Sequence, residues 1–324
     1  MNSLDFSRYV LGSCVAVATL AGCGGSQPQI GAPGAMPQTS APATHADRGK
    51  SWMKRGASSG NDLVYAASYS GLMYVISYPQ GQLVGKVDLP DEFHSQGICS
   101  DSQGDIFVPI AFDAEVVEYA HGGTQPTATL KDPGGWPSSC SVDPTTGNLA
   151  VTNPNYTYEQ DSNVAVYADA QGDPTYYSGS GILPMDCGYD NQGNLFVGGE
   201  GFAELPRGAE NFTNITLPHG IGGGQIQWDG KYITVSSFTT IYRLRISGST
   251  ATIAGKTRLK GLSLKNASGA SWIQGSEIVA IGPGKRDNKV GFWDYPHSGK
   301  AVTIVNLGRH TSPTAVTVSV GSSR

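Results

Sequence analysis

One short pattern recurs six times along this chain. Each copy has a glycine, a polar residue, a short run of β-branched or aromatic residues, a turn and a second apolar run. The six glycines are Gly60, Gly104, Gly147, Gly193, Gly230 and Gly275, at successive separations of 44, 43, 46, 37 and 45 residues. A period in this range, with several strands per unit, is typical of repeat architectures. The chain is therefore predicted to be a repeat protein built from β-sheets.

Each unit contains enough short runs for four strands. The runs after the glycines are Leu63–Tyr65, Ile106–Val108, Leu149–Val151, Leu195–Val197, Ile233–Val235 and Ile278–Ala280. A second run, a polar turn, a third run and a fourth run that ends in Asp follow. No long stretch has the 3.6-residue period of an amphipathic helix. Six such units predict an all-β fold, a six-bladed β-propeller of four-stranded antiparallel blades over residues 61–320.

The fourth runs also supply turns. They end at Asp101, Asp143, Asp190 and Asp229, and a turn to Gly follows each Asp. Asp begins such turns and Gly supplies positive φ, so these aspartates are predicted to be structural. The sixth run, Thr314–Ser319, must pair with strands of residues 62–90 to close the ring. The second run of unit 4, around Phe202–Leu205, is expected to be short.

A strand ending in Asp, followed by a turn to Gly-Asn-Leu-x-Val, resembles the NHL-type repeat and its gluconolactonase-like relatives. The likeness covers most of residues 61–320 and is clearest in units 2 to 4, for example in DNQGNLFV from Asp190 to Val197. The Trp-Asp signature of WD repeats and the Gly doublet of kelch repeats are absent. The resemblance implies that the strand ending in Asp is innermost, beside the central channel.

The same resemblance suggests where a metal would bind. Gluconolactonase-like propellers hold a divalent metal with Glu, Asp and Asn side chains at the channel. Here the innermost runs offer Asp186, with Asn153 and Asn155 as further oxygen ligands, so the family pattern does not transfer residue by residue. One divalent metal is the only cofactor that these residues suggest.

Three histidines precede predicted innermost strands. His94, His219 and His310 lie in HSQGICSD, HGIGGGQIQWD and HTSPTAVTV, and Trp136 has a similar place in unit 3. Imidazoles around a channel mouth could bind a transition metal or act as a general base, but no H-x-H or E-x-x-H spacing supports this. Streptogramin-lyase-like propellers use His and Glu there, and His219 and His310 could take those roles. The alternative is that all three are ordinary polar loop residues.

The N-terminus has the features of a bacterial lipoprotein signal. Tyr9–Leu20 is an apolar run of 12 residues, too short for a permanent membrane span. The sequence LAGC that ends at Cys23 resembles the lipobox, which implies a signal peptide of residues 1–22 and a lipid on Cys23. The alternative is an ordinary cleaved signal with an incidental cysteine. Gly24 in place of Asp favours the outer membrane or cell surface within the cell envelope.

Residues 23–60 are predicted to be a flexible tether after the lipidated cysteine. They are rich in Gly, Pro, Ser, Ala and Gln and have little apolar surface to bury. Trp52 and Met53, near the end of the tether, are expected to dock onto the domain. Residues 321–324 form a short tail. The membrane is thus one predicted partner, through the lipid anchor.

Three cysteines lie within the predicted propeller. Cys99, Cys140 and Cys187 are all on predicted innermost strands, and the last two share a register three residues before the closing Asp. An odd number argues against a full disulfide framework. Three possibilities stay open: small buried thiols, a Cys140–Cys187 disulfide, or a metal or redox role.

The net charge of −5 conceals two sectors of opposite sign. Residues 61–230 contain 3 Lys or Arg and 21 Asp or Glu, a net charge of −18, whereas residues 231–324 contain 13 and 3, a net charge of +10. The densest basic group is Arg243, Arg245, Lys256, Arg258, Lys260 and Lys265. Such a field steers an anionic surface polymer, an anionic lipid leaflet or an acidic envelope protein, unless these are solvated charges without a partner. Nucleic acid is not expected, because basic and aromatic residues do not interleave.

Together these patterns favour binding over catalysis. The chain has no Gly-x-Ser-x-Gly motif, P-loop or dinucleotide-binding fingerprint. The leading hypothesis is a non-catalytic ligand- or protein-binding module on the outer side of a membrane. The alternative is a metal-dependent lactonase- or lyase-like enzyme with its site at the mouth of the central channel.

Overall fold

The structure, a computed structural model, describes residues 51–90, 97–155, 162–179, 181–261, 270–281, 288–309 and 311–321. These residues form six sheets arranged as the blades of a ring, which confirms the predicted all-β, six-bladed propeller. Within these ranges the one helical element is a short 3-10 turn at Ala168–Ala170. Within the described residues, no helix has the length and apolar character to cross a membrane.

The strands are numbered along the chain and belong to successive blades. Blade 1 contains β1 (Trp52–Met53), β2 (Leu63–Ser68), β3 (Leu72–Ser77) and β4 (Leu83–Asp88), and blade 2 contains β5 (Cys99–Ser100), β6 (Ile106–Ile110), β7 (Glu115–Tyr119) and β8 (Pro126–Lys131). Blade 3 contains β9 (Ser139–Val142), β10 (Leu149–Asn153), β11 (Asn163–Tyr167) and β12 (Thr175–Ser178), and blade 4 contains β13 (Pro184–Tyr189), β14 (Leu195–Gly199), β15 (Gly201–Leu205) and β16 (Thr213–Asn214). Blade 5 contains β17 (Ile226–Trp228), β18 (Ile233–Ser237), β19 (Thr240–Ser247) and β20 (Thr250–Lys260), and blade 6 contains β21 (Ser271–Gln274), β22 (Glu277–Ile281), β23 (Lys289–Asp294) and β25 (Thr303–Asn306). The short β24 (Gly299–Lys300) lies parallel to β20, and β26 (Pro313–Ser319) joins blade 1.

The C-terminal strand closes the ring, as predicted. β26 is the innermost strand of blade 1 and pairs antiparallel with β2, from Ser319 opposite Leu63 to Pro313 opposite Ser68. Every residue of β26 is buried. The hydroxyl of Ser100, on β5 of the next blade, donates to the carbonyl of Val318 at 2.7 Å. The last strand of the chain therefore joins the first two blades.

Local turn chemistry shapes blades 2 to 5 as predicted. In blade 4, the carboxylate of Asp190 accepts the backbone N–H groups of Gln192 at 2.8 Å and Asn194 at 2.9 Å. Gly193 between them has φ +83°, a conformation that other residues rarely adopt. Asp101, Asp143 and Asp229 accept backbone N–H groups in the same way. The four aspartates are turn residues.

The hydrophobic core is divided into six clusters, each between two neighbouring blades. Both faces of a blade are therefore covered, and β2, β6 and β10 are buried along their whole length. Continuous apolar strands are expected where a sheet is covered on both sides. The innermost strands of the blades line the central channel.

Blade 1 begins before residue 61, the start that the repeat pattern predicts. β1 pairs antiparallel with β4, with Trp52 opposite Lys86 and Met53 opposite Gly85. Met53 also packs against the cluster between blades 1 and 2. β1 covers the outer edge of blade 1, which would otherwise leave an unpaired strand. The structure thus brings Trp52 and Met53 onto the sheet, as expected.

The prediction that the second run of blade 4 is short is wrong. β15 has five residues, as many as β7 and β11, and the short strand is the outermost one, β16, with two. After β16 the backbone bonds to blade 5 instead: Thr216 donates to the carbonyl of Ser249, and Ala251 donates to the carbonyl of Thr216. The shorter period of unit 4 therefore reflects an outer strand that ends early.

A disulfide joins Cys99 to Cys140, with a Cα–Cα distance of 5.6 Å, so the Cys140–Cys187 possibility is wrong. Side chains that share a register on neighbouring innermost strands point the same way around the ring. Cys140 accordingly packs between blades 2 and 3, and Cys187 between blades 3 and 4. Cys99 is two residues before its Asp, whereas Cys140 is three before its own. The side chain of Cys99 therefore points the other way around the ring and faces Cys140. The possibility of small buried thiols therefore holds for Cys187 but is wrong for Cys99 and Cys140.

Candidate functional site

The two ends of the central channel differ in chemistry. The upper end is defined here as the end at which the innermost strands begin, and the lower end as the end at which they finish in Asp turns. Large exposed aromatic side chains gather in loops of the upper end. They are Tyr69, Phe112, Trp136 and Phe238. Exposed aromatic residues of this kind are enriched at protein interfaces.

Phe112 and Trp136 form a pair at the upper end. Phe112 lies in the turn between β6 and β7, and Trp136 lies in the connection from β8 to β9. Their ring centroids are 4.8 Å apart with an interplanar angle of 67°. The side chains remain 46% and 39% exposed. This edge-to-face contact orients both rings and leaves apolar surface open to a partner.

A buried polar network lies under the loop that carries Trp136. Asp132 is fully buried directly after β8, where it accepts hydrogen bonds from the hydroxyl of Tyr176 at 2.8 Å and from the amide of Asn153 at 3.0 Å. The Asn153 amide also donates to the side chain of Asn163 at 2.9 Å. Burial raises the pKa of Asp132, and the hydrogen bonds from Tyr176 and Asn153 lower it.

The network holds the loop itself in place. The hydroxyl oxygen of Tyr176 accepts the backbone N–H of Gly134 at 3.2 Å. The backbone N–H of Gly135 donates to the carbonyl of Asp132 at 3.0 Å. A Cβ at Gly135 would lie 2.5 Å from the Asp132 carboxylate, so glycine is required there. Prolines on both sides restrict the backbone further, and Trp136 is therefore presented by a preorganised loop.

Sequence reasoning singled out Trp136 but missed the residues that support it. Phe112, Asp132 and Tyr176 come from separate strands or turns, and no local pattern links them. The one local signal is DPGGWP from Asp132 to Pro137, in which turn-forming Pro and Gly residues flank a tryptophan. That signal identifies a turn. The contacts of the turn with Phe112 and Tyr176 form only when blades 2 and 3 pack side by side in the ring.

The histidine site stays a prediction. His219 is exposed in the connection before β17, at the upper end. His94 and His310 lie outside the described residues. Within the described ranges there is no group of three or more His, Cys, Asp or Glu side chains that could hold a metal ion.

The three candidate oxygen ligands have different surroundings. Asp186 lies on β13, the innermost strand of blade 4, whereas Asn153 and Asn155 belong to blade 3 or follow it. The amide of Asn153 is engaged with the network under the Trp136 loop. The backbone N–H of Asn155 donates to the hydroxyl of Ser162 at 3.0 Å. Asp186 and Asn153 therefore belong to strands of neighbouring blades.

Asp186 is a buried carboxyl group on the wall of the channel. Burial raises the pKa of Asp186 to about 7, and a hydrogen bond from Ser139 on the neighbouring innermost strand offsets part of this effect. The folded protein therefore keeps the proton on Asp186 up to neutral pH. An ionised carboxylate at this position destabilises the fold.

Asp186→Asn is expected to stabilise the protein, and most strongly above pH 7. The carboxyl ionises near pH 4 in the unfolded chain but near pH 7 in the fold, so the wild type loses stability as the pH rises through this window. Asparagine removes that loss, which is about 4 kcal/mol at most. Urea unfolding at the two ends of the window measures it, with the exposed Asp173→Asn as control. A gain that does not grow with pH would contradict the burial argument.

The predicted basic group is divided between two faces of one hairpin. Its described members are Arg243 and Arg245 on β19 and Lys256, Arg258 and Lys260 on β20, and Lys265 lies outside the described residues. Tyr242 and Lys256 are opposite one another and share a face, so Arg243 points to the other face. Lys256 lies 5.1 Å from the ring of Tyr242, and Arg243 lies 5.6 Å from the ring of Tyr295. Part of this charge therefore contacts aromatic rings of the protein itself.

Comparison with known proteins supports the fold alone. No protein-family model matches the chain, and no curated protein matches it. A chain of a nidogen/laminin complex is 12% identical, with a TM-score of 0.63 over 82% of this chain and 100% of that chain. A protein of unknown function from Bacteroides caccae is 12% identical (TM-score 0.58, 81% and 99% covered), and one from Desulfotomaculum acetoxidans DSM 771 is 11% identical (TM-score 0.54, 81% and 100%). The resemblances to NHL repeats and to the lipobox stay predictions.

Proposed function

We propose that this propeller is a non-catalytic binding module of the bacterial cell envelope, whose upper end docks a partner protein. The observation that carries the proposal is the exposed Phe112–Trp136 pair on a loop held by buried hydrogen bonds. The lipid on Cys23 and the tether that follows it would hold the module on the outer side of a membrane.

Rigid, exposed aromatic side chains suit the anchor role in an interface. Trp and Tyr are enriched among the few residues that contribute most of the binding free energy. Ordering a mobile loop on binding has an entropy cost, and a preorganised loop avoids much of it. The Trp136 loop meets both conditions, because its ring is open to solvent while its backbone is bonded to a buried network.

A protein partner fits this surface better than an anionic polymer. The aromatic pair belongs to blades 2 and 3, within the part of the chain whose net charge is −18. Acidic surroundings repel an anionic polymer and favour a partner with basic residues around an apolar centre. A chain of the same fold occurs in a nidogen/laminin complex, so this architecture is compatible with docking between proteins.

Trp136→Ala is expected to weaken partner binding at least tenfold, because an anchor of this kind contributes about 2 kcal/mol or more. Partners of the full-length protein are crosslinked in intact cells and identified by mass spectrometry, and their affinities are then measured with purified protein. Trp52→Ala is the matched control, since Trp52 is 43% exposed but lies on the outer edge of blade 1. Equal affinity of the Trp136→Ala variant would contradict the proposal, as would turnover in a broad hydrolase and lyase screen.

Cys23→Ala is expected to move the protein from the membrane fraction to the soluble fraction. Each buried CH₂ of a lipid chain contributes about 0.8 kcal/mol to membrane affinity, and the variant loses all of them. Cys14→Ala is the matched control, because Cys14 lies within the predicted signal peptide. Fractionation followed by immunoblotting gives the result. If the Cys23→Ala variant stayed in the membrane fraction like the wild type, the lipid anchor would be contradicted. The test of Trp136 would not be affected.

A further inference from the structure

The lower end of the channel contains a cavity of about 560 Å³. Residues of blades 2 to 6 line it, so it occupies the centre of the ring. Its volume lies within the range of roughly 300–1,000 Å³ that is usual for small-molecule sites. It is at the opposite end of the channel from the Phe112–Trp136 pair. The proposed docking function does not involve it.

The side of the cavity that blades 2 and 3 form is acidic. It is lined by Asp101, Asp105, Glu118, Asp143 and Asp169, and no Lys, Arg or His is among the described residues that line the cavity. Burial raises the pKa values of Asp105 and Glu118, and neighbouring carboxylates raise both further. The carboxylates of Asp101, Asp105 and Glu118 are therefore close enough to repel one another.

His121 lies beside this acidic side but is not among the residues that line the cavity. His121 lowers the pKa of Asp105, whereas burial lowers the pKa of His121 itself and so disfavours the charged ring. Its Nδ1 is already paired with the hydroxyl of Ser319 at 2.6 Å. The described residues that line the cavity therefore supply no positive charge to this side.

The side that blades 5 and 6 form is aromatic. Trp228 on β17 and Trp272 on β21 line the cavity and are half-buried, and Tyr189 on β13 of blade 4 lines it too. Indole rings attract cations through the negative faces of their π systems and also cover hydrocarbon. An inorganic ion would use the carboxylates alone, whereas an organic cation would use both sides of the cavity.

We propose that this cavity binds an organic cation through an ammonium or guanidinium group. The charged nitrogen of the ligand would lie against the carboxylates of Asp105 and Glu118. The hydrocarbon attached to it would lie against the indoles of Trp228 and Trp272. A free polyamine and a Lys or Arg side chain of a partner protein share this chemistry.

The test is a titration of the full-length protein in detergent with spermidine, with a short Lys-Arg peptide and with the fully acetylated form of each. Tryptophan fluorescence and calorimetry report binding. At least one cationic probe is expected to bind with a Kd of about 1 mM or tighter, and its acetylated form at least tenfold more weakly.

Variants separate the cavity from the rest of the surface. Asp105→Asn/Glu118→Gln is expected to lower the affinity at least tenfold. It should unfold at or above the wild-type temperature, because both carboxylates are disfavoured in the fold. Asp173→Asn/Glu210→Gln is the matched control, since it removes two exposed charges that do not line the cavity.

The two probes distinguish a free polyamine from a side chain of a partner protein. Binding of spermidine alone assigns a free polyamine, binding of the peptide alone assigns a side chain of a partner protein, and binding of both assigns the cationic group itself. Each of these supports the proposal. It is overturned by no saturable binding of either probe, by equal binding of the acetylated forms, by unchanged affinity in Asp105→Asn/Glu118→Gln, or by saturable binding of calcium chloride alone.

Discussion

Truncation after Arg309 is expected to leave no folded propeller. It removes β26, whose seven residues are all buried and which pairs with β2 along the whole length of that strand. Val316 and Val318 each contribute about 1.5–3 kcal/mol through burial alone. Their loss, together with the broken ladder and the opened ring, is comparable to the entire net stability of a domain, about 5–15 kcal/mol.

Circular dichroism and a thermal unfolding curve of the truncated chain measure this effect. Truncation after Gly321 is the matched control, because it removes the last three residues and leaves β26 intact. The control should unfold like the wild type. Cooperative unfolding of the shorter chain at the wild-type temperature would show that the first blade is stable without its innermost strand.

The second large effect is expected from the disulfide between blades 2 and 3. Cys99→Ala/Cys140→Ala should lower the free energy of unfolding by about 4 kcal/mol, because the cross-link closes a loop of 41 residues in the unfolded chain. The two cysteines lie in the core cluster between these blades, so the bond also ties two innermost strands together.

Urea unfolding with and without a reductant separates the disulfide from simple packing. The wild type should lose about the same free energy on reduction as it loses in the double variant, and the double variant should not respond to the reductant. Cys187→Ala is the control: it removes a buried thiol outside the disulfide and should cost only about 1 kcal/mol. Equal stability of oxidised and reduced wild type would contradict the assigned role.

The cysteines show how near sequence reasoning came to the right pair. Counting back from the closing Asp puts Cys99 two positions away and Cys140 three. On neighbouring strands of a ring, side chains of opposite parity can face each other, whereas those of equal parity cannot. The shared register of Cys140 and Cys187 was therefore evidence against their bond, and this could have been read from the sequence.

The candidate site was less predictable than the fold. Trp136 could be singled out from its position before an innermost strand. Its contact with Phe112 and the buried support from Asp132 and Tyr176 could not, because these residues meet only after blades 2 and 3 have packed. The acidic and aromatic sides of the lower cavity are likewise contributed by different blades.

The sequence by itself determined the number of blades, the strand that closes the ring and the Asp turns such as Asp190 to Gly193. The Asp turns depend on hydrogen bonds and φ angles within a few residues. The sixfold repetition gives the number of blades and leaves the last run of the chain to complete the first blade. The tertiary structure decided the disulfide pairing, the exposed aromatic pair and the cavity. Each of these joins residues from different blades, and their contacts exist only because the ring brings distant strands to one channel.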